Sequence, residues 1–264
     1  MSSAPDPRGQ GALLERALRR DRQLTAAFLL LLWLLACAYL LTGAGMDGAM
    51  AMMSHHPESN LHAAYLLVAM WWAMMLAMMV PSAAPTILLF CAVHRQGQAG
   101  GTLRGPPPVA AFALGYLGVW FAFSLAASAL QWGLSRSTIF SPESMIIRPK
   151  WLVVALLLLA SAYQLSSMKR ACLTHCRSPA SFLAAHWRPR AIGAVRLGIL
   201  HGGYCLGCCW ALMLLLFEGG VMNIFWIVLL STLVLVERLV PAGYAVRRLV
   251  GFLLLVTGAV LVLG

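Results

Sequence analysis

The sequence predicts an all-α protein, a polytopic transmembrane bundle of about seven helices. Composition is the first observation: 61% of the 264 residues are apolar and only 10% are charged, whereas a soluble domain has about 25% charged residues. A soluble protein needs charge to cover its surface, so this composition excludes a soluble enzyme or carrier. The second observation is that the apolar residues form runs close to the length of about 20 residues with which a helix crosses a bilayer.

Seven such apolar runs follow one another along the chain. They cover residues 24–41, 63–93, 109–133, 151–168, 197–217, 221–236 and 244–263. The second run is long for one span and the sixth is short, whereas the others have the expected length. Between the fifth and the sixth only Glu218, Gly219 and Gly220 intervene, a composition that predicts a tight turn.

The basic residues predict how these spans are oriented. If the chain changes sides at each span, all but three of its 19 Lys and Arg residues fall on one side, and the exceptions are Arg136, Arg148 and Lys150. Cytoplasmic loops carry the excess of Lys and Arg, so we expect a bacterial inner membrane protein with a cytoplasmic N-terminus. Orientation in a lipid bilayer explains the net charge of +11 better than a nucleic-acid partner, and no nucleic-acid binding is expected.

The first run has an alternative interpretation as a cleaved signal peptide, because basic residues precede it and small residues follow it. Residues 34–37 (LLAC) even resemble a lipoprotein cleavage site at Cys37. The apolar run continues past Cys37, however, and the basic region before it is long, so a retained membrane anchor is favoured. Residues 1–23 are therefore assigned to a cytoplasmic basic segment and residues 24–264 to an integral membrane domain.

Five methionines in the second run form the most unusual pattern of the chain. At helical spacing Met70, Met74 and Met78 lie on one face, and Met75 and Met79 lie beside them. A thioether is neutral, so it can be buried in hydrocarbon, and it is a soft ligand suited to Cu(I). Methionine is also a flexible packing residue, but five of them within ten residues favour a metal site.

The fifth run contains a second group of soft ligands. Cys205, Cys208 and Cys209 are three or four residues apart, so their thiols are expected to share one helix face. His201 lies one turn before Cys205, and Met213 lies one turn after Cys209. A single buried cysteine would be structural, but three cysteines in five positions, with His and Met beside them, predict a soft-metal site.

Two further groups of soft ligands lie outside the runs. Cys172 and Cys176 follow the fourth run on its cytoplasmic side, close to Lys169 and Arg170, whose positive charge favours the thiolate. This pair is a candidate metal hand-off point or redox pair. The alternative is that the two thiols are solvent-exposed and have no function. Between the first two runs, residues 46–56 contain four Met and two His, as expected of an external loop that collects soft metal ions.

Acidic residues are few, and two of them end apolar runs. Both lie near the ends of apolar runs, so solvated helix ends are the default interpretation. Glu218 is in addition a candidate for proton or metal exchange, and Glu237 is expected to pair with Arg238 at the cytoplasmic edge. The sequence contains no phosphate-binding loop, no nucleophile elbow and no HExxH motif. Hydrolytic and phosphoryl-transfer chemistry therefore has no support.

Three stretches resemble a known family. They are MWWAMMLAMMVPSAAP at residues 70–85, YQLSSMKRACLTHCRSP at 163–179 and GGYCLGCCWALMLLLFEGGVMNIFW at 202–226, with Glu237 downstream. Together they are similar to the family of predicted metal-binding integral membrane proteins called domain of unknown function 2182, some of which are described as copper-chaperone-like. The resemblance covers most of the chain and implies a membrane-embedded metal site more than any mechanism.

These patterns lead to one main hypothesis, in which the domain of residues 24–264 binds Cu(I). The protein would then deliver the ion to a partner, or across the membrane, and a copper-dependent oxidase or a soluble copper carrier would be the partner. Zinc also accepts Cys and His ligands but gains little from a Met-rich lining. No enzyme activity is expected under this hypothesis.

Two other classes of function stay open. One is a membrane thiol-disulfide oxidoreductase in which Cys172, Cys176, Cys205 and Cys208 relay electrons. The other is a non-catalytic assembly subunit of a larger membrane complex, in which the thiols only pack. Metal content separates these classes from a copper carrier, because neither of them requires bound copper.

Overall fold

The computed structural model describes residues 7–43, 60–99, 108–137, 139–141, 146–188 and 190–263. The predicted collecting loop, residues 46–56, lies outside them. In chain order the elements are α1 (Pro7–Leu41), α2 (Asn60–Ala99), α3 (Val109–Ser135), β1 (Phe140–Ser141), β2 (Ile146–Ile147), α4 (Lys150–Leu165), α5 (Ser167–Arg177), α6 (Pro179–His186), α7 (Arg190–Leu214), α8 (Leu216–Gly219), α9 (Ile224–Leu239) and α10 (Gly243–Leu263). The prediction of an all-α helix bundle is confirmed, and the two short strands only pair with each other, antiparallel, between α3 and α4.

Five helical stretches in the described part of the chain are long and apolar enough to cross a membrane. They are Arg22–Leu41, Ala64–Gly97, Val109–Ser135, Arg190–Gly219 and Gly243–Leu263. Two of the seven predicted spans, the fourth and the sixth, are not among these five. The fourth run forms α4, which bends by 60° into α5 and counts as a sixth crossing only if the pair is one span. The sixth run forms α9, whose 16 residues fall short of the usual length of about 20.

Pro81 inside α2 leaves one backbone carbonyl without its helical partner, because proline has no N–H to donate to Ala77 four residues before it. In the structure the indole Nε1 of Trp33 in α1 donates to that carbonyl oxygen over 2.9 Å. The freed carbonyl therefore helps to dock α1 on α2, next to the methionines of α2.

Glycines allow α7 to pack closely on α3, its most extensive neighbour. A Cβ atom at Gly198 would lie 2.0 Å from the carbonyl oxygen of Phe112, and one at Gly115 would lie 2.2 Å from that of Val195. No side chain fits at these distances, so the two glycines set the separation of the helices, as small residues commonly do in membrane bundles. This close packing places Tyr116 of α3 beside Cys205 of α7.

A buried ion pair fixes the bend between α4 and α5. Nζ of Lys169 lies 2.7 Å from Oε2 of Glu237 in α9, and both side chains are almost fully buried. Gln164 joins the pair, because its amide nitrogen donates to Glu237 and its carbonyl oxygen accepts from Lys169. The expected pairing of Glu237 with Arg238 is therefore wrong. Consecutive residues of a helix point about 100° apart, so the two side chains face different neighbours.

We expect Gly198→Ala to lower the free energy of unfolding by about 2 kcal/mol or more, because its Cβ forces α3 away from α7. Gly203→Ala on the same helix is the matched control, since nothing lies within 4 Å of a Cβ at that position. The measurement is the unfolding midpoint of the full chain in detergent. Equal midpoints for the two variants would contradict the proposed role of the glycine contact.

Candidate metal centre

Helix α7 carries three buried cysteines, and two of them contact different helices. Cys208 contacts α5, whereas Cys209 contacts α2. Neighbouring positions of a helix diverge by about 100°, so the thiols of Cys208 and Cys209 reach different helices. As a result, α7 presents sulfur to two sides of the bundle.

On the first side, Cys208 meets a cysteine of α5. The Sγ atoms of Cys208 and Cys176 are 3.3 Å apart, within hydrogen-bonding distance. Cys208 is buried, whereas Cys176 and Cys172 are half-buried. The cysteine pair predicted after the fourth run and the cysteines predicted in the fifth run therefore belong to one cluster, which we call the sulfur cluster: Cys172, Cys176, Cys205, Cys208, Cys209 and Met79.

Gly207 lets α5 come this close to α7. A Cβ atom at this position would lie only 2.8 Å from Sγ of Cys172. The carbonyl oxygen of Gly207 also accepts a hydrogen bond from the hydroxyl of Tyr163 in α4. The thiol of Cys172 consequently packs on the backbone of α7 directly before Cys208.

On the second side, the thiols of α7 meet α2 and α3. Sγ of Cys209 lies 3.9 Å from Sδ of Met79, and both residues are almost completely buried. The hydroxyl of Tyr116 lies 3.1 Å from Sγ of Cys205 and 3.1 Å from the carbonyl oxygen of Met79. A thioether of α2 and two thiols of α7 thus lie close together in the buried core.

The other predicted methionine ligands are fully buried, so the methionine stripe of α2 does not face lipid. Within the residues that the structure describes, no hydrogen bond joins a thiol to these five: Met70, Met74, Met75, Met78 and Met213. They line the interior of the bundle, and their burial fits core packing as well as metal binding.

His201 is buried in an aromatic environment. The centroid of its ring lies 6.0 Å from Phe112, 5.6 Å from Tyr116 and 5.4 Å from Phe182. Its Nε2 atom has no hydrogen-bond partner in the described part of the chain. Buried polar atoms normally have one, and a free imidazole nitrogen is a good metal ligand. His201 therefore stays a candidate ligand.

Arg238 is the residue of this site that sequence reasoning missed. Its side chain is only 5% exposed. One guanidinium nitrogen donates to Oγ of Ser82 over 2.7 Å, and another donates to the carbonyl oxygen of Cys205 over 2.9 Å. The guanidinium is also within electrostatic range of four thiols, those of Cys176, Cys205, Cys208 and Cys209. The only sequence signal was that this arginine lies two residues after an apolar run too short for a full span.

The soft donors of the cluster meet in pairs. Among the described residues, no group of three or more His, Cys, Asp or Glu side chains is arranged to hold a metal ion. Structural zinc sites use four such ligands, so the arrangement differs from a closed zinc site. Pairs of sulfur atoms suit Cu(I), which prefers thiolate and thioether ligands.

Comparison with known proteins also indicates copper as the metal. The family model PpoB2, described as copper chaperone, matches residues 68–261, which include every residue of the sulfur cluster and Arg238. No curated protein and no solved structure matches the chain.

Mild oxidation of the full chain in membranes should join Cys176 to Cys208, because their Sγ atoms need to approach by only about 1.3 Å to reach disulfide length. Peptide mapping by mass spectrometry identifies the cross-link. Cys37 and Cys91, which lie outside the cluster, are internal controls and should stay reduced. A cross-link from Cys208 to any cysteine other than Cys176 would contradict the contact between α5 and α7.

Proposed function

Because the chain belongs to the copper chaperone family PpoB2, we propose that it binds Cu(I) as cargo in its helix bundle and delivers it to a partner. The observation that carries this proposal is the placement of sulfur around α7. Cys208 meets Cys176 on one side, and Cys209 meets Met79 on the other. Four soft donors from three helices provide ligands that a soft monovalent ion prefers over water.

The route of the ion is proposed from how far each cysteine residue is exposed. Cys172 and Cys176 are half-buried, whereas Cys208 and Cys209 are buried. An ion would enter or leave at the first pair and move inward by exchanging one sulfur ligand for the next. Such exchanges have low barriers because the ligands are of similar softness. His201, Met213 and the remaining methionines of α2 would extend this path through the core.

We place the bundle in the bacterial inner membrane with the N-terminus in the cytoplasm. Its apolar helices and the distribution of basic residues support this placement. Lys169, Arg238 and Arg247 are buried, so the orientation depends on the other Lys and Arg residues. With this orientation the half-buried thiols of α5 lie toward the cytoplasm, where a soluble copper carrier could reach them. A copper-dependent oxidase is the second candidate partner.

A thiol-disulfide oxidoreductase is the second candidate function. The contact between Cys176 and Cys208, with Sγ atoms 3.3 Å apart, is the observation that favours it. That function would leave the contact of Cys209 with Met79 unused. Purified protein that contains the disulfide and no copper would support the oxidoreductase, whereas reduced thiols with bound copper would support the carrier.

Replacing both Cys176 and Cys208 with Ser should weaken Cu(I) binding on the order of a hundredfold or more, because the metal loses two thiolate ligands. Cys91→Ser, a change at a buried cysteine outside the cluster, is the matched control and should bind as the wild type does. The measurement is competition with a chromogenic Cu(I) chelator under anaerobic, reducing conditions. Wild-type copper affinity in the double variant would refute the proposal.

Met79→Leu should weaken Cu(I) binding about tenfold, a typical loss when a group that supports a metal site is removed. Leucine keeps the apolar volume, so the fold is expected to survive. Met70→Leu, at an equally buried position of the same helix, should have a much smaller effect. The same chelator competition measures both variants, and equal losses would show that the contact between Met79 and Cys209 has no special role.

A further inference from the structure

The buried cations of the bundle differ in how their charge is balanced. Lys169 is paired with the carboxylate of Glu237. Arg247 donates to the carbonyl oxygens of Gln164 and Ser166 at the bend between α4 and α5, and its charged neighbours include Glu237. Within the described chain neither arginine forms an ion pair with a carboxylate, and neither Nε atom has a hydrogen-bond partner. Arg238 differs from Arg247 in that the charged groups acting on it are thiols.

Arg238 is instead surrounded by groups that become negative when they bind a metal. The thiols of Cys176, Cys205, Cys208 and Cys209 are all within its electrostatic range. Two hydrogen bonds, to Oγ of Ser82 and to the carbonyl oxygen of Cys205, hold the guanidinium in place. A fixed positive charge in an apolar interior is costly unless an anion lies beside it.

The charge of the metal decides whether such an anion forms. Two thiolates and one Cu(I) ion make a complex of net charge −1, and the neutral thioether of Met79 does not change that sum. Two thiolates and one divalent ion make a neutral complex. The first complex balances the charge of Arg238, whereas the second leaves that charge uncompensated.

We propose that Arg238 is the positioning residue that makes the sulfur cluster selective for soft monovalent cations over divalent ones. This inference rests on the proposed function and adds what selects the ion. Softness alone does not separate Cu(I) from zinc at thiolates, because both ions accept them. The fixed charge of Arg238 would discriminate between monovalent and divalent ions, although Arg238 is not a ligand of the metal.

Arg238→Gln in the full chain tests the inference directly. The variant should bind Cu(I) about tenfold to a hundredfold more weakly, the effect expected from one unit charge a few ångström away in a protein interior. It should bind Zn(II) as well as the wild type or better. Arg238→Lys, which keeps the charge, should keep the preference for Cu(I). Unchanged affinities in Arg238→Gln, or equal losses for both metals, would overturn the inference.

Arg247→Gln is the matched control, because this arginine is also buried but interacts with the bend between α4 and α5 and not with the thiols. It should lower thermal stability and leave the ratio of Cu(I) to Zn(II) affinity unchanged. A shift of that ratio equal to the shift in Arg238→Gln would show that any buried positive charge has this effect, which overturns the assignment to Arg238.

A measurement on the wild type avoids any effect of a substitution on folding. Ag(I) and Cd(II) are both soft, but only the first is monovalent. Ag(I) should displace bound Cu(I) at concentrations where Cd(II) does not, and equal displacement by both ions would overturn the inference. A wild-type protein that binds no Cu(I) would instead refute the proposed function itself, so the two failures are distinguishable.

Discussion

The ion pair of Lys169 and Glu237 is the interaction on which the arrangement of the cysteines depends. A buried pair is tolerated only when further hydrogen bonds satisfy it, and Gln164 provides them from α4. The pair ties α5 to α9, and α5 therefore turns back against α7, where Cys176 meets Cys208. It also fixes the end of α9. The next residue in that helix, Arg238, points about 100° away from Glu237, toward the thiols.

Glycines, which have no side chain, contribute to this arrangement as much as the polar contacts do. Gly198 and Gly115 bring α3 and α7 together, and Tyr116 reaches Cys205 as a result. Gly207 does the same for α5, because a Cβ there would collide with the thiol of Cys172. These close helix contacts bring sulfur donors from three helices, α2, α5 and α7, within reach of one another.

A carrier must release its metal as well as bind it, and paired donors suit that task. A closed site with four ligands holds a metal as part of the fold. Here the sulfur atoms form short steps from half-buried thiols on α5 to buried thiols and a thioether in the core. Under the proposed function, each step offers the ion a new ligand before the old one leaves. The charge of Arg238 would hold the complex along this path and would disfavour ions of higher charge.

The sequence by itself determined the helical class, the apolar character and the residue types of the site. These follow from local composition and from helical spacing, which are properties of neighbouring residues. Tertiary structure decided which donors meet. Cys176 and Cys208 are 32 positions apart, and Cys209 and Met79 are 130 positions apart. Glu237 forms its ion pair with Lys169 and not with the adjacent Arg238. Periodicity predicts a face of a helix but not its neighbour, because the neighbour is set by the bend at Ser166 and by glycine contacts between distant segments.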